Sequence, residues 1–60
     1  MVRIGSVVTF IDYKDIPVTG TIVEFDGDPE LGDTVATIMS PTSRIGYRME
    51  LSEPFTVIKF

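Results

Sequence analysis

Short runs of β-branched and aromatic residues alternate with turn-forming residues along the whole chain. Five such runs occupy positions 5–11, 20–25, 33–40, 46–51 and 56–60, and glycine, proline, aspartate or serine separates them. Regular short runs of this kind are typical of β-strands joined by turns. No stretch shows the apolar spacing of an amphipathic helix. The pattern therefore predicts an all-β domain with five strands.

Alternation along each strand places every second side chain in the interior. The predicted interior residues are Ile4, Val8, Phe10, Ile22, Ala36, Ile38, Met49, Leu51, Phe55 and Ile58. The predicted outward-facing apolar residues are Val7, Ile11, Val23 or Phe25, Val35, Tyr47, Val57 and Phe60. Because this is a large apolar set for a small surface, we expect an exposed patch of the kind that marks interaction sites.

The connections differ in length and composition. A long first loop covers DYKDIPVT at 12–19, an acidic loop covers DGDPELG at 26–32, and SPTSRI at 40–45 joins the third and fourth runs. In the last connection Ser52 can cap a helical turn, Pro54 suits an early helical position, and Phe55 returns to the core. We therefore expect a single 3₁₀ turn there.

This order of elements resembles the Src-homology-3-like small barrel. The segments IGSVVTF and GTIVEF resemble the opening strands of that superfamily, and YRMELSEPFTVI resembles its closing strand, turn and strand. The resemblance covers nearly the whole chain. It implies one small β-barrel domain over residues 1–60, five-stranded, with a one-turn 3₁₀ helix between strands 4 and 5.

Two members of the superfamily show local similarity. MVRIGSVV followed by GTIV is similar to the peripheral photosystem I subunit that helps to dock ferredoxin, and the spacing of GSVVTF, GTIVEF and GYRMEL resembles type II dihydrofolate reductase. The second resemblance would place an active-site strand of sequence Val-Gln-Ile-Tyr at 48–51. This chain has Arg-Met-Glu-Leu there, so reductase activity is not expected.

Length and composition restrict the possible chemistry. A 60-residue chain forms one domain and buries only ~60% of its unfolded surface. It contains no cysteine and no histidine, so it lacks a disulfide framework, thiolate zinc ligands and the commonest acid-base side chain. No apolar stretch approaches the ~20 residues of a membrane helix. We expect a soluble, cytoplasmic protein without cofactor, and its size suggests a bacterial or phage origin.

The acidic loop region is a candidate cation site or a charged docking surface. Asp26, Asp28, Glu30 and Asp33 place four carboxylates within eight residues, and oxygens of this kind bind calcium. The full calcium-loop pattern is missing and Pro29 stiffens the segment, so a solvated turn without metal is favoured. Alternatively, the loop presents negative potential to a basic protein surface.

Nucleic-acid binding is an alternative. Its candidate residues are the bases Arg3, Arg44, Arg48 and Lys59 with Tyr47 and Phe60 as stacking faces. Nine acids against five bases give a net charge of −4, which repels a phosphate backbone.

Catalysis is not expected, because no serine has a recognisable base partner and the carboxylates lie mostly in turns. The remaining enzymatic alternative is a site assembled across a symmetric oligomer and lined by Arg48 and Glu50.

The sequence favours a non-enzymatic protein-binding or oligomerising module. Its predicted binding surface combines the 13–19 and 26–32 loops. The apolar anchors would be Tyr13, Ile16, Val18 and Leu31, and the steering carboxylates would be Asp26, Asp28 and Glu30. Apolar anchors rimmed by charge suit a protein partner or a second copy better than a phosphate backbone.

Overall fold

A computed structural model describes residues 2–28, 33–42 and 45–60 of the chain. Five strands form one antiparallel sheet in the order β4-β3-β2-β1-β5. Their bounds are β1 Val7–Ile11, β2 Pro17–Asp28, β3 Asp33–Met39, β4 Gly46–Glu50 and β5 Phe55–Lys59. The all-β class and the five strands are confirmed. Within the described ranges, however, β4 and β5 are the two edges of the sheet and do not pair to close a barrel.

Strand β2 begins earlier than predicted. It starts at Pro17 instead of position 20, so the expected long first loop is reduced to the turn 12–16. The Asp12 carboxylate makes this turn compact, because its Oδ1 accepts the N–H groups of Lys14 at 2.8 Å and Ile16 at 2.9 Å. Aspartate carboxylates commonly stabilise turns in this way, by accepting hydrogen bonds from nearby main-chain N–H groups.

Strand β2 pairs with β1 through its first half and with β3 through its second half. Thr21 lies at the junction, opposite both Val7 and Met39. The strands approach each other closely at the adjacent Gly20. A Cβ atom at this position would lie 2.5 Å from the main-chain oxygen of Met39, so only glycine fits without a shift of the main chain. One continuous strand can therefore hold the two halves of the sheet together.

Two β-bulges change which residues face the core. Val23 is an extra residue in β2 opposite β3, and Ile58 is an extra residue in β5 opposite β1. Without the bulges, strict alternation would turn the following charged residues, Glu24 and Lys59, inward. Burying an unpaired charge is costly, and both residues are exposed in this arrangement.

The core lies on one face of the bent sheet. Its buried apolar residues are Val8, Phe10, Val18, Ile22, Ala36, Ile38 and Met49, and the half-buried residues packed against it are Val2, Phe25, Tyr47, Leu51, Phe55 and Val57. The predicted interior positions are thus largely confirmed, with two exceptions. Ile4 is 64% exposed because it lies in the turn before β1, and Ile58 is 58% exposed because it is the bulge residue.

The predicted outward positions need matching corrections. Val57 packs against the core, since β5 presents its odd-numbered residues Phe55 and Val57 to the interior. Phe25 packs inward after the bulge, whereas Val23 is exposed. Tyr47 is half-buried against the core.

The connection between β4 and β5 is a β-turn, so the predicted 3₁₀ helix is wrong. The N–H of Glu53 donates to the main-chain oxygen of Glu50 at 3.1 Å. A 3₁₀ helix would require the next residue to donate to Leu51, and Pro54 has no N–H to do so. Phe55 still returns to the core as expected.

Candidate functional site

The two loops predicted to form one binding surface lie at opposite ends of β2. The Tyr13 turn precedes this strand and Asp26 and Asp28 lie near its far end. A 12-residue strand spans on the order of 35 Å, comparable with the 33 Å longest dimension of the molecule. The carboxylates therefore do not rim the apolar anchors.

The individual anchors have different positions. Tyr13 is 91% exposed and Ile16 is 53% exposed, as a binding surface requires. Val18 is 7% exposed and belongs to the core, because β2 already pairs with β1 at this position. It is therefore wrong to place Val18 on the loop surface. Glu30 and Leu31 lie outside the described residues.

Ile11, Tyr13 and Ile16 form the surface that we call the hairpin end. All three side chains are more than half exposed, and they are contributed by one short turn and the strand residue before it. The turn is fixed by main-chain bonds as well as by the Asp12 carboxylate: the Asp12 N–H donates to the Ile16 oxygen at 3.0 Å, and the Asp15 N–H donates to the Asp12 oxygen at 3.0 Å. The Lys14 ammonium lies 5.5 Å from the centre of the Tyr13 ring.

Concave regions adjoin the hairpin end on both sides. A groove of about 250 Å³ is lined by Thr9, Phe10, Ile11, Pro54, Phe55 and Thr56. A second, of about 420 Å³, is lined by Pro17, Val18, Thr19, Ser40, Pro41, Thr42 and Tyr47. Ile11 and Pro17 are Cα partners across β1 and β2, so the hairpin end connects the two concave regions.

Several carboxylates share the outer face of the sheet. Glu24 and Asp26 lie on β2, and Glu50 and Arg48 lie two strands away on β4 with Thr37 and Val35 of β3 between them. Across the described ranges, no three acidic side chains approach closely enough to hold a metal ion. The arrangement can supply negative potential over a wide surface.

Only part of the predicted basic and aromatic set comes together. Arg3, Lys59 and Phe60 lie near the start of β1, whereas Arg48 lies on the edge strand β4. Tyr47 packs toward the core, so it points away from the neighbouring Arg48. Arg44 lies outside the described residues.

A second exposed apolar surface was missed by the sequence analysis. Ile4 and Ile58 were both predicted to be interior, but they are exposed beside Phe60 and Val23. Alternation alone cannot reveal these positions, because two of them are created by bulges. The charged residue that follows each bulge, Glu24 after Val23 and Lys59 after Ile58, could have signalled the irregularity, since it would otherwise point inward.

Comparisons with known proteins give no relative. No family model matches the chain, and neither a curated protein nor a solved structure matches it. In the described residues, no helix is long and apolar enough to cross a membrane.

Proposed function

We propose that this chain is a non-enzymatic protein-binding module of the Src-homology-3-like type, which binds a partner segment through the hairpin end. The observation that carries the proposal is the exposure of Ile11, Tyr13 and Ile16 on one hydrogen-bonded turn. The order of the strands supports the fold assignment, as does the pairing of β2 with β1 in its first half and with β3 in its second half. On the sequence argument alone, we also propose that the module acts in the cytoplasm.

Preorganisation supports binding at the hairpin end. The Asp12 hydrogen bonds fix the turn in the free protein, so little backbone ordering remains to oppose association. Tyrosine and isoleucine supply large contact areas, and tyrosine is common among the residues that dominate binding energies. The adjoining grooves can receive side chains on either side of these anchors.

The charges near the hairpin end indicate what kind of segment would bind there. Asp12 and Asp15 belong to the turn itself, and Glu53 precedes Pro54, which lines a groove together with Ile11. Among the described residues, the turn also contains the basic residue Lys14. A segment that combines aliphatic or aromatic residues with lysine or arginine would match both the apolar anchors and this charge.

A selection from random peptides displayed on phage tests the proposal. Selected peptides should be enriched in apolar and basic residues, and Tyr13→Ser or Ile16→Ser should weaken their binding about tenfold or more. Ile58→Ser is the matched control, since Ile58 is similarly exposed but lies near the opposite end of β1. Selection of no binding peptide, or equal weakening by Ile58→Ser, would refute the proposal.

Salt dependence separates this function from nucleic-acid binding. Apolar recognition of a peptide should change little between low and high salt, whereas binding to a single-stranded oligonucleotide should weaken steeply. Tight binding of an oligonucleotide that is lost in salt, together with unchanged binding by Tyr13→Ser, would favour the alternative.

A further inference from the structure

A second apolar surface surrounds the start of β1, at the far end of this strand from the hairpin end. We call it the bulge face, and its residues are Ile4, Val7, Val23, Ile58 and Phe60. Ile4, Ile58 and Phe60 are 64%, 58% and 58% exposed, and Val23 is 45% exposed.

The strand register brings these residues together. Val7 lies opposite Thr21 of β2 on one side and Lys59 of β5 on the other. Val23 lies two residues beyond Thr21 on β2, and Ile58 directly precedes Lys59 on β5, so the two bulge residues lie on opposite sides of β1. They are two strand spacings apart across the sheet, about 10 Å, and are offset along it by about two to three residues.

Hydrogen bonds hold the bulge face in place. The N–H of Ser6 donates to the oxygen of Arg3 at 3.0 Å, and Gly5 has the positive φ of 98° that the third position of a type II turn requires. The buried Ser6 hydroxyl accepts the N–H of Arg3 at 2.9 Å and donates to the main-chain oxygen of Phe60 at 3.2 Å. These bonds connect the main chain of the turn 3–6 with the main-chain oxygen of Phe60 beside β1.

Charges of opposite sign lie on the two sides of this apolar surface. Lys59 is on the β5 side, and the Arg3 guanidinium joins it there through a 3.3 Å bond from Nε to the Phe60 oxygen. Glu24 and Asp26 are on the β2 side. The strand order β2-β1-β5 therefore gives a negative side, an apolar centre and a positive side.

This distribution selects the partner. A partner whose surface carries charge of one sign only would be attracted by one side of the bulge face and repelled by the other side. A second copy related by a twofold axis parallel to β1 places the positive side of each chain against the negative side of its partner, because an isologous interface uses the same patch twice. We infer that the bulge face is a self-association surface, through which two copies of this chain form a symmetric dimer.

The interface is small. Four exposed apolar side chains and their charged neighbours correspond to the low end of interface sizes, below ~1,200 Å² in total, which is typical of weak complexes. Sedimentation equilibrium over a wide concentration range should therefore show a monomer and dimer in exchange. A wild-type protein that remains monomeric at the highest concentrations would refute the inference.

Paired charge reversal tests the geometry. Lys59→Glu and Glu24→Lys should each raise the dimer dissociation constant about tenfold, because each creates two like-charge contacts in a twofold dimer. Mixing the two variants should restore affinity, since both contacts then join opposite charges. The control variants Lys14→Glu and Glu53→Lys make the same charge changes near the hairpin end and should leave the dissociation constant unchanged.

Each result has a distinct meaning. Restoration in the mixture with unchanged controls supports the dimer, whereas failure of the mixture to recover would refute this interface. Ile58→Ser should also weaken the dimer, while Ile16→Ser should not. Peptide binding at the hairpin end is measured separately and survives Ile58→Ser, so either proposal can fail without the other.

Discussion

Replacing Gly20 with alanine tests the way in which β2 holds the two halves of the sheet. The added Cβ would lie 2.5 Å from the Met39 oxygen, 2.8 Å from the Met39 carbonyl carbon and 2.8 Å from Cγ2 of Ile38. Two of these atoms are main-chain atoms of the paired strand, so a rotamer change cannot relieve the contact. The strands must separate locally by about 1 Å, at the site where Ile22 and Ile38 pack in the core.

The expected loss of stability follows from two opposing terms. Overpacking of a dense interior destabilises the folded state by about 1–3 kcal/mol. Alanine also has less conformational freedom than glycine in the unfolded chain, which stabilises the folded state by about 0.4–1 kcal/mol. The midpoints of these ranges give a net loss of about 1.3 kcal/mol. This is a large share of the total stability of about 3–9 kcal/mol for a domain of this length. At about 4–8 °C per kcal/mol, the melting temperature should fall by roughly 5–10 °C.

Urea unfolding of the variant and two other glycine replacements provides the assay. Gly46→Ala is the matched control, because its nearest atoms are side-chain atoms, Cγ2 of Thr37 at 3.3 Å and Sδ of Met39 at 3.5 Å, which can adjust. Gly5→Ala meets no atom within 4 Å but has a positive φ, so it should lose about 1 kcal/mol by strain alone. Equal stability of Gly20→Ala and Gly46→Ala would refute the close approach of β2 and β3 at Gly20.

Three further replacements test separate contacts by urea unfolding. Ser6→Ala should lose about 1–2 kcal/mol, since the buried hydroxyl both accepts and donates a hydrogen bond, and a loss below about 0.5 kcal/mol would contradict its role. Asp12→Ala should lose about 1 kcal/mol, with Asp12→Asn retaining most stability through its remaining oxygen; equal losses would contradict the acceptor role. Phe55→Ala should lose about 2–3 kcal/mol, less than a fully buried phenylalanine, and a loss below about 1 kcal/mol would show that β5 is peripheral.

The sequence predicted the strands because alternation and turn residues are local signals. Val8, Phe10, Ile22, Ala36, Ile38 and Met49 were assigned to the core and are buried. Each lies in a run where regular alternation holds, so its direction follows from its neighbours.

The errors arose where a nonlocal contact or a single inserted residue controls the structure. Val18 was assigned to the loop because it lies in the segment 12–19 between the first two predicted runs. In the structure Asp12 closes the turn by residue 16, and Pro17 and Val18 pair with Ile11 and Phe10 of β1. The expected 3₁₀ helix treated Pro54 as an early helical residue whose missing N–H has no cost. The turn instead begins at Glu50, so a second 3₁₀ bond would require the N–H that Pro54 lacks. The predicted binding surface combined two loops that are close in sequence. The sequence did not show that the 12-residue strand β2 lies between them and keeps them apart.

The bulges also decide how the exposed apolar residues should be interpreted. Keeping Glu24 and Lys59 in water requires one extra residue in each strand, but nothing in the geometry of a bulge requires that residue to be valine or isoleucine. A polar residue would serve folding equally well. In dilute solution Ile58→Ser should therefore change the free energy of unfolding by less than about 0.5 kcal/mol. At high concentration it should also remove the concentration dependence of the melting temperature that a dimer imposes, because association stabilises only the folded chain. A large loss of stability in dilute solution would instead show that Ile58 supports the fold.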